Sequence, residues 1–347
     1  MRENIYNSSF AELKSFFIDL GERAFRADQL WNWLYVKGID ELSELNNISK
    51  NVINKINEQY YLSQFKVSNS LLSKDGTRKW LFELEDGKEI ETVYIPDENR
   101  GTICVSSQVG CSLSCSFCHT GTMKFSRNLS TSEILGQVMY VKNFLKDWNN
   151  KSDKKKITNI VFMGMGEPLL NYENVIKSIN VLTDQKGLAF SKRKVTLSTS
   201  GVVPKIIDFK EDSDVNLAVS FHAAFDEVRN ILVPINKKWP IESLLEALKN
   251  YSKKRKHKRI TFEYVMLEDI NDSIKDAREL IKLIKPFKAK INLIPFNPWP
   301  DSNYKASSPD KIKIFKNFIL EEGKLVATVR SPRGDDVLAA CGQLKSF

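Results

Sequence analysis

From Thr102 onward the chain alternates short apolar runs with helix-like segments, and this alternation restricts the possible folds more than any other feature. The runs are rich in β-branched and aromatic residues, as is typical of buried strands. They span 102–107, 158–163, 194–199, 215–220, 260–266, 291–295 and 325–329. Strands that are separated by helices in this way are expected to be parallel.

The segments between these runs carry the signals of capped helices. Ser130 followed by Glu133 is a capping box, in which each residue satisfies a backbone N–H that the first helical turn leaves free. Predicted helices span 130–145, 172–182, 241–254, 274–284 and 309–320. Repeated strand-then-helix units imply a parallel α/β sheet, either open or closed into a barrel. We predict a partial (β/α) barrel, in which reactive residues collect at the carboxyl ends of the strands.

Residues 1–100 show a different pattern. Ser9 and Glu12 form another capping box, and a second helix with an apolar face ends before Gly38. Strand-like runs follow between residues 67 and 96, and the Asp-Gly pairs between them favour hairpin turns. We therefore predict a small helical domain at 1–63, a β-meander linker at 64–100 and a main domain at 101–347.

Three cysteines stand close together in the pattern C-x-x-x-C-x-x-C: Cys111, Cys115 and Cys118. Three thiolates at this spacing can bind three irons of a 4Fe-4S cluster and leave the fourth iron open to a small chelating molecule. The alternative is a structural zinc site, but such sites usually pair C-x-x-C with a second close pair of ligands. His119 is adjacent, yet it is poorly placed to complete a tetrahedral zinc site.

Two further cysteines, Cys104 and Cys341, lie outside this motif. Free cysteine is among the most buried residue types, so each is first interpreted as a small core residue. The flanking residues favour another interpretation of Cys341. Ser331 and Pro332 suit the start of a short helix, which predicts that Cys341 lies near its far end, facing a pocket.

Polar residues and glycines follow several predicted strands. Gly164 and Gly166 allow a backbone to approach a ligand closely, and Glu167 offers a carboxylate to an ammonium group. Taken singly, such residues usually belong to turns or caps. Similar strings follow other strands at 198–201, 220–222 and 295–298, and the convergence of these polar groups on one barrel mouth predicts a cofactor site.

The charge of the chain favours a polyanionic partner. The formal net charge is +9, and basic runs occur at 154–156 and 253–259. Nucleic acid is the natural candidate, although a lysine run is more often a solvated helix end. An odd number of cysteines, three of them clustered, favours a reducing compartment. The chain has neither an apolar leader nor a long apolar run, so we expect a soluble cytoplasmic protein.

Several strings together carry a family resemblance. They are 90–96 around Glu91, 104–111, 164–168, 198–202, 220–222 and the terminal 339–344 around Cys341. With the cysteine motif they make the chain resemble the RlmN family of radical S-adenosylmethionine enzymes, and the similarity extends over nearly the whole chain. The family consists of dual-specificity RNA methyltransferases that methylate carbon 2 of adenine.

The resemblance implies a role for each matching residue. Cys111, Cys115 and Cys118 would bind a 4Fe-4S cluster. S-adenosylmethionine, of which two molecules would be used per turnover, would be bound by Gly166, Glu167, Ser198, Ser220, Phe221, His222 and Asn297. Cys341 would accept a methyl group and Cys104 would be its resolving partner, so that any disulfide is transient. Glu91 matches the position assigned as proton acceptor. The helical domain at 1–63 would help to bind RNA.

The resemblance also implies partners and leaves alternatives. The substrates would be 23S ribosomal RNA and tRNA, with an electron donor such as flavodoxin, no membrane and a monomeric enzyme. A related enzyme that methylates adenine carbon 8 uses the same cysteines. A basic RNA-binding module with a structural metal site would make Cys104 and Cys341 dispensable. A maturase that acts on peptides is a third alternative.

Overall fold

The computed structural model describes residues 2–63, 65–148, 155–255 and 257–345. Lys154 and Lys256, which belong to the two basic runs, lie outside the described residues. Residues 2–63 form a helical unit whose elements are β1 (Glu3–Asn4), α1 (Phe10–Asp19), α2 (Phe25–Asn32), α3 (Lys50–Gln59) and β2 (Tyr60–Tyr61).

The helical unit forms for the local reasons that its sequence indicates. Ser9 accepts a hydrogen bond from the Glu12 amide and the Glu12 side chain accepts one from the Ser9 amide, so the predicted capping box is confirmed. A π-helical turn follows α2 and ends at Gly38, whose φ of +69° is accessible to glycine at little cost. Trp31 donates a hydrogen bond from Nε1 to Asp184 Oδ2 at 2.7 Å. This contact joins the helical unit to the rest of the molecule.

The remaining described residues are built around one large sheet. The strands that follow the helical unit are β3 (Lys66–Leu72), β4 (Arg78–Glu83), β5 (Glu89–Asp97), β6 (Arg100–Cys104), β7 (Gln108–Val109), β8 (Arg127–Asn128), β9 (Asn159–Phe162), β10 (Val195–Thr199), β11 (Asn216–Ser220), β12 (Ile260–Met266), β13 (Ala289–Pro295) and β14 (Val326–Val329). All of them except β7 and β8 belong to the large sheet. The ten strands of the sheet lie in the order β14-β13-β12-β11-β10-β9-β6-β5-β4-β3, and β7 pairs with β8 separately.

Helices cross over between the parallel strands. They are α4 (Thr131–Leu145), α5 (Tyr172–Thr183), α6 (Val203–Asp212), α7 (Asp226–Leu232), α8 (Ile241–Lys254), α9 (Ile274–Ile284) and α10 (Pro309–Glu321). Short 3-10 turns occur at Ile5–Asn7, Leu42–Glu44, Thr120–Thr122, Pro168–Asn171, Pro234–Lys237 and Asp335–Val337. The strands and helices predicted between residues 102 and 329 are confirmed to within a few residues at their ends. No helix in the described ranges is both long and apolar enough to cross a membrane.

The parallel part of the sheet curves into an open barrel. Strands β6 and β9 to β14 are parallel to their neighbours and follow one another in chain order. Thr102 on β6 and Thr328 on β14 stand at opposite ends of this run, yet both line one cavity. The sheet must therefore curl, and the predicted partial barrel is confirmed. The antiparallel strands β3 to β5 extend the same sheet beyond β6.

The predicted helix after Ser331 is wrong. A single 3-10 turn at Asp335–Val337 follows Gly334, whose φ of +66° is incompatible with a right-handed helix. Asp336 accepts a hydrogen bond from Ser73 Oγ at 2.5 Å, and Gly334 donates its amide to Asp75 at 3.0 Å. The segment is held by the β3–β4 hairpin instead of by its own helical hydrogen bonds. We call residues 334–345 the tail segment.

Candidate active site

A cavity lies at the carboxyl ends of the parallel strands, where the fold predicts a site. It brings together most of the predicted cofactor and cluster residues, namely Cys111, Cys115, Cys118, Gly166, Glu167, Ser198, Ser220, His222, Asn297 and Cys341. Phe221 is fully buried behind this cavity, with its ring against Phe262. Cys104 faces a second cavity inside the barrel, which Cys341 also lines.

The loop after β9 is shaped by close backbone packing. A Cβ atom on Gly164 would lie 2.7 Å from the Val105 carbonyl oxygen, and one on Gly166 would lie 2.4 Å from Cβ of Gln108. Gly166 also has a φ of +94°. Larger residues at both positions would displace the loop. The predicted close approach of these glycines to a ligand stays a prediction, because their observed close contacts are with the protein itself. Gln108, whose Oε1 accepts the Glu167 amide at 3.0 Å, carries no signal in the sequence.

Glu167 is held in one orientation at the end of this loop. Its Oε1 accepts the Leu169 amide at 3.0 Å and its Oε2 accepts the Ser200 amide at 2.8 Å. Burial raises the pKa of Glu167 to about 7, and the two amide hydrogen bonds oppose this shift. A buried carboxylate without a cation is costly, and an ammonium group in the cavity would relieve that cost.

Arg229 on α7 fixes the ends of two site strands, and the sequence analysis missed it. Its Nε donates to the Phe221 carbonyl at 2.9 Å, and its Nη2 donates to the carbonyls of Ser200 at 2.8 Å and Ser220 at 3.1 Å. The side chain is completely buried, with a relative exposure of 0%. One guanidinium therefore sets the spacing between β10 and β11, where Ser198 and Ser220 face each other across 3.4 Å between their Oγ atoms.

His222 occupies an unusual backbone conformation just after β11. Its φ is +60°, and its Nδ1 accepts a hydrogen bond from the Val265 amide at 3.1 Å. Since Nδ1 accepts, this histidine is neutral with its proton on Nε2. Burial lowers the pKa of His222 to about 3, and the charge of Arg229 lowers it further. Its ring also packs edge-on against Phe117 in the cysteine loop, with 4.7 Å between ring centroids.

The tail segment is bound to the cysteine loop through its backbone. Asn297 Nδ2 donates to the Cys341 carbonyl at 3.1 Å and the His119 amide donates to that of Gly342 at 2.7 Å. His119 Nδ1 donates to the Gln343 carbonyl at 3.2 Å, and Thr120 Oγ1 donates to the Leu344 carbonyl at 2.5 Å. His119 also stacks on Trp299, with an interplanar angle of 8°. His119 thus helps to hold the tail segment in place.

Cys104 and Cys341 share an electrostatic environment. All five cysteines are free thiols. Cys104 and Cys341 both line the second cavity. Burial raises the pKa of Cys104 to about 12, and the charge of Cys341 raises it further. Burial also raises the pKa of Cys341, and Arg330 opposes that shift. Glu263 lines both cavities at this point, 3.7 Å from Arg330.

Glu91 lies away from the lining of either cavity. Its Oε1 is 2.8 Å from Lys79 Nζ in a buried ion pair, and its Oε2 accepts the amide of Lys345 at 2.8 Å. Burial raises the pKa of Glu91, and Lys79 opposes the shift. No motif in the sequence indicates this ion pair.

The described part of the larger basic run lies far from the site. Arg255 and Lys258 stand between the end of α8 and the start of β12, at the amino ends of the strands. Both pair with Asp214, at 3.0 Å and 3.7 Å. These residues hold the opposite end of the barrel, in line with a structural interpretation of the run.

Comparisons with known proteins identify the family. The model of the radical SAM superfamily matches residues 105–283, and that of the ribosomal RNA large subunit methyltransferase N-terminal domain matches residues 3–62. The dual-specificity RNA methyltransferase RlmN of Rhodopseudomonas palustris (strain BisB5) is 50% identical over 334 residues, which cover 94% of this chain and 84% of the relative. The chain belongs to the RlmN family.

A second RlmN relative and a solved structure also match this chain. The RlmN protein of Brucella anthropi is 51% identical over 335 residues, covering 92% of this chain and 81% of the relative. The crystal structure of a radical SAM methyltransferase from Sphaerobacter thermophilus is similar with a TM-score of 0.91 and 37% identity, over 98% of each chain. The protein is therefore a radical SAM RNA methyltransferase, whose class uses S-adenosylmethionine and a 4Fe-4S cluster.

The RlmN site fits these cofactors. Burial raises the pKa of Cys111 to about 12, and burial together with the neighbouring thiols raises the pKa of Cys115. Thiolates so placed need a cationic partner, which iron supplies. Within the described ranges, no three His, Cys, Asp or Glu side chains are grouped as for a single metal ion. A cubane cluster has a different requirement, because each thiolate binds its own iron.

Proposed function

We propose that this protein methylates carbon 2 of adenine in 23S ribosomal RNA and in tRNA, through a methylated cysteine and a covalent RNA-protein intermediate. One observation carries the proposal: Cys341 lines both the cofactor cavity and the second cavity that contains Cys104. A thiol at this junction can meet a cofactor on one side and a resolving thiol on the other.

Cys111, Cys115 and Cys118 would hold the 4Fe-4S cluster. Glu167 would pair with the ammonium group of S-adenosylmethionine, while Ser198, Ser220, His222 and Asn297 would bind the rest of it from the strand ends, beside Gly166. Phe221, buried against Phe262, would support this wall of the cavity from behind. When bound, the cluster and two molecules of S-adenosylmethionine per turnover supply an electron, a methyl group and a radical that abstracts hydrogen. This radical route is needed because carbon 2 of adenine is electron-poor and has no nucleophilic lone pair.

Cys341 carries the transferred carbon. Its thiolate would accept the methyl group of a first molecule of S-adenosylmethionine, with S-adenosylhomocysteine as the leaving group. After one hydrogen has been removed from this methyl group and the carbon has bonded to the base, Cys341 holds the RNA through an S–CH₂ link. Arg330 supports this role, because its charge lowers the pKa of Cys341 against the effect of burial.

Cys104 releases the product. The adduct then loses a proton and one electron at carbon 2, which restores the aromatic ring. Cys104 would take the proton, directly or with the help of Glu91, and the electron would return to the oxidised cluster. The Cys104 sulfur then bonds to the Cys341 sulfur as the S–C bond breaks, and the released carbon takes up a proton and becomes the methyl group. The resulting disulfide needs a two-electron thiol reductant before the next turnover.

The substrate has to present an accessible base. An adenine in a loop can be splayed out of its stack, whereas an adenine inside a duplex hides its edge. We propose that residues 1–63 act as an RNA-binding accessory domain, that 64–100 join it to the barrel, and that 101–347 form the catalytic domain. The enzyme would act as a monomer in the cytoplasm, where RNA and an electron donor such as flavodoxin are found.

The product tests the proposal. Purified protein is reconstituted with iron and sulfide without oxygen, and is then incubated with RNA, S-adenosylmethionine and a reductant. Digestion is expected to yield 2-methyladenosine, with 5'-deoxyadenosine and S-adenosylhomocysteine in comparable amounts. A yield of 8-methyladenosine would instead assign the chain to carbon 8 methylation. Consumption of no cofactor, with Cys104 and Cys341 dispensable for RNA binding, would support the passive RNA-binding module.

A further inference from the structure

A buried ion pair links the antiparallel strands to the tail segment. Lys79 lies on β4 and Glu91 on β5, and the two residues stand diagonally across the ladder, because Lys79 is opposite Val93 and Leu81 is opposite Glu91. The Lys79 Nζ and Glu91 Oε1 atoms are 2.8 Å apart, and the side chains are 9% and 4% exposed. The charges are therefore largely removed from water.

Each member of the pair also binds the tail segment. Lys79 Nζ donates to the carbonyl of Leu338 at 3.1 Å, and Glu91 Oε2 accepts the amide of Lys345 at 2.8 Å. Cys341 lies between these two contact points in the chain. The pair consequently holds the tail segment on both sides of Cys341.

Glu91 also contacts the Gly-rich loop after β9, whose two glycines line the cofactor cavity. The Glu91 amide lies 3.3 Å from Sδ of Met165, which stands between the two glycines of the loop after β9. Ser106 Oγ donates to the Glu91 carbonyl at 2.6 Å and accepts the Met165 amide at 2.9 Å. Glu91 is thus connected to the Gly-rich loop through its backbone and to the tail segment through its side chain.

Sheet stability alone does not account for this arrangement. A buried ion pair contributes little net stability compared with apolar residues of similar volume. An ordinary pair on the same sheet, Lys66 with Glu83 at 2.6 Å, is exposed, with the lysine side chain 73% accessible. Lys79 and Glu91 instead direct their remaining hydrogen bonds to the backbone of the tail segment.

We propose that Lys79 and Glu91 form a clamp that holds the tail segment so that Cys341 faces the cofactor cavity, and that Lys79 is a positioning residue for the methyl-accepting step. The role of Cys341 in this statement rests on the proposed function. The existence of the clamp does not, because it concerns how firmly the tail segment is bound. Lys79 would reach the reaction through the backbone at Leu338.

Hydrogen exchange of the reduced apoprotein tests the clamp without any turnover. In Lys79→Met, amides of residues 338–345 are expected to exchange roughly 10- to 100-fold faster than in the unchanged protein, while β4 and β5 exchange at their former rates. Lys79→Arg should restore slow exchange, since it keeps a cation in place. Lys66→Met is the matched control, because it removes an exposed pair from the same sheet.

A second variant distinguishes loss of the clamp from loss of folding. Lys79→Met with Glu91→Gln removes both charges and leaves none unpaired, and it should show the same fast exchange of the tail segment. Unchanged exchange in both variants would overturn the clamp, as would an equal increase throughout β4 and β5. If both variants unfold, the pair is a folding determinant and the proposal is wrong.

Methylation of Cys341 connects the clamp with the reaction. In reconstituted Lys79→Met, the first-order rate of Cys341 methylation is expected to fall roughly tenfold while the affinity for S-adenosylmethionine stays the same. Faster exchange without any methylation of the unchanged protein would reject the proposed function and leave the clamp intact. Faster exchange in Lys79→Met with an undiminished rate of methylation would remove Lys79 from the positioning role.

Discussion

Asn297 donates a hydrogen bond from Nδ2 to the carbonyl oxygen of Cys341, at 3.1 Å. Asn297 follows β13 and lines the cofactor cavity. One side chain therefore connects a strand end of the barrel with the backbone of the cysteine that we propose as methyl acceptor. The position of Cys341 depends on such backbone contacts, because the tail segment around it has no regular helix or strand of its own beyond one 3-10 turn.

Replacing Asn297 with Ala is expected to slow the methylation of Cys341. The loss of one hydrogen bond of about 1 kcal/mol corresponds to a decrease of roughly fivefold, and more if Asn297 also binds the cofactor. The measurement is a single-turnover transfer of labelled methyl to the protein. Asn216→Ala is the control, because it removes a similar bond, to the Arg193 carbonyl at 2.8 Å, at the amino end of β11. Equal rates in the two variants would contradict this prediction.

The fold was predictable because its signals are local and repeated. The strand Ile260–Met266 and the helix Ile241–Lys254 have the predicted bounds, since apolar period and helix caps depend on near neighbours in the chain. The wrong helix after Ser331 shows the limit of such signals. There Asp336 binds Ser73 and Asp335 binds Gln343 instead of capping a helix, and Ser73 lies 263 residues away in the chain.

The site was predictable where motifs occur and hidden where it depends on tertiary contacts. The cysteines and the strand-end residues such as Glu167 were found from their spacing and position. Arg229 and Lys79 carry no motif, and an isolated arginine or lysine is usually exposed. Their importance arises from burial and from partners that are distant in the chain, which a single sequence does not reveal.

Removing Cys341 and removing Cys104 should stop turnover at two different stages. Cys341→Ala is expected to abolish methylation of the protein, because the accepting sulfur is lost. Cys104→Ala should still accept the methyl group but accumulate a covalent RNA-protein adduct, since the S–C link is no longer resolved. Denaturing gels with labelled RNA detect the adduct, and nuclease treatment should reduce its mass. A fully active Cys341→Ala enzyme would contradict the proposed mechanism.

Replacing Arg229 with Lys should disrupt the spacing of β10 and β11 although the charge is kept. An ammonium group cannot reproduce the forked contacts with the carbonyls of Ser200 and Phe221. We expect a loss of about 3 kcal/mol in the free energy of unfolding and weaker binding of S-adenosylmethionine. Urea unfolding and equilibrium dialysis measure the two effects. Arg100→Lys, at an exposed ion pair with Asp97, should cost less than about 1 kcal/mol.

The low pKa of His222 predicts that the free energy of unfolding decreases in acid. Its pKa is lowered from 6.5 to about 3 in the folded protein, so between these values the unfolded chain binds more protons. The stability it contributes is complete above pH 6.5 and is lost as pH falls towards 3. Between pH 7 and pH 5 the expected loss from this residue is about 2 kcal/mol.

The variant that isolates this effect is His222→Asn. Asparagine tolerates the positive φ of this position and does not titrate. Urea unfolding of the reduced apoprotein at pH 7 and pH 5 should therefore show a smaller acid loss in the variant, by about 2 kcal/mol, because the other titrating groups are common to both proteins. His257→Asn, at an exposed position, is the matched control and should keep the full loss. An acid loss in His222→Asn as large as in the unchanged protein would show that His222 is not the group responsible.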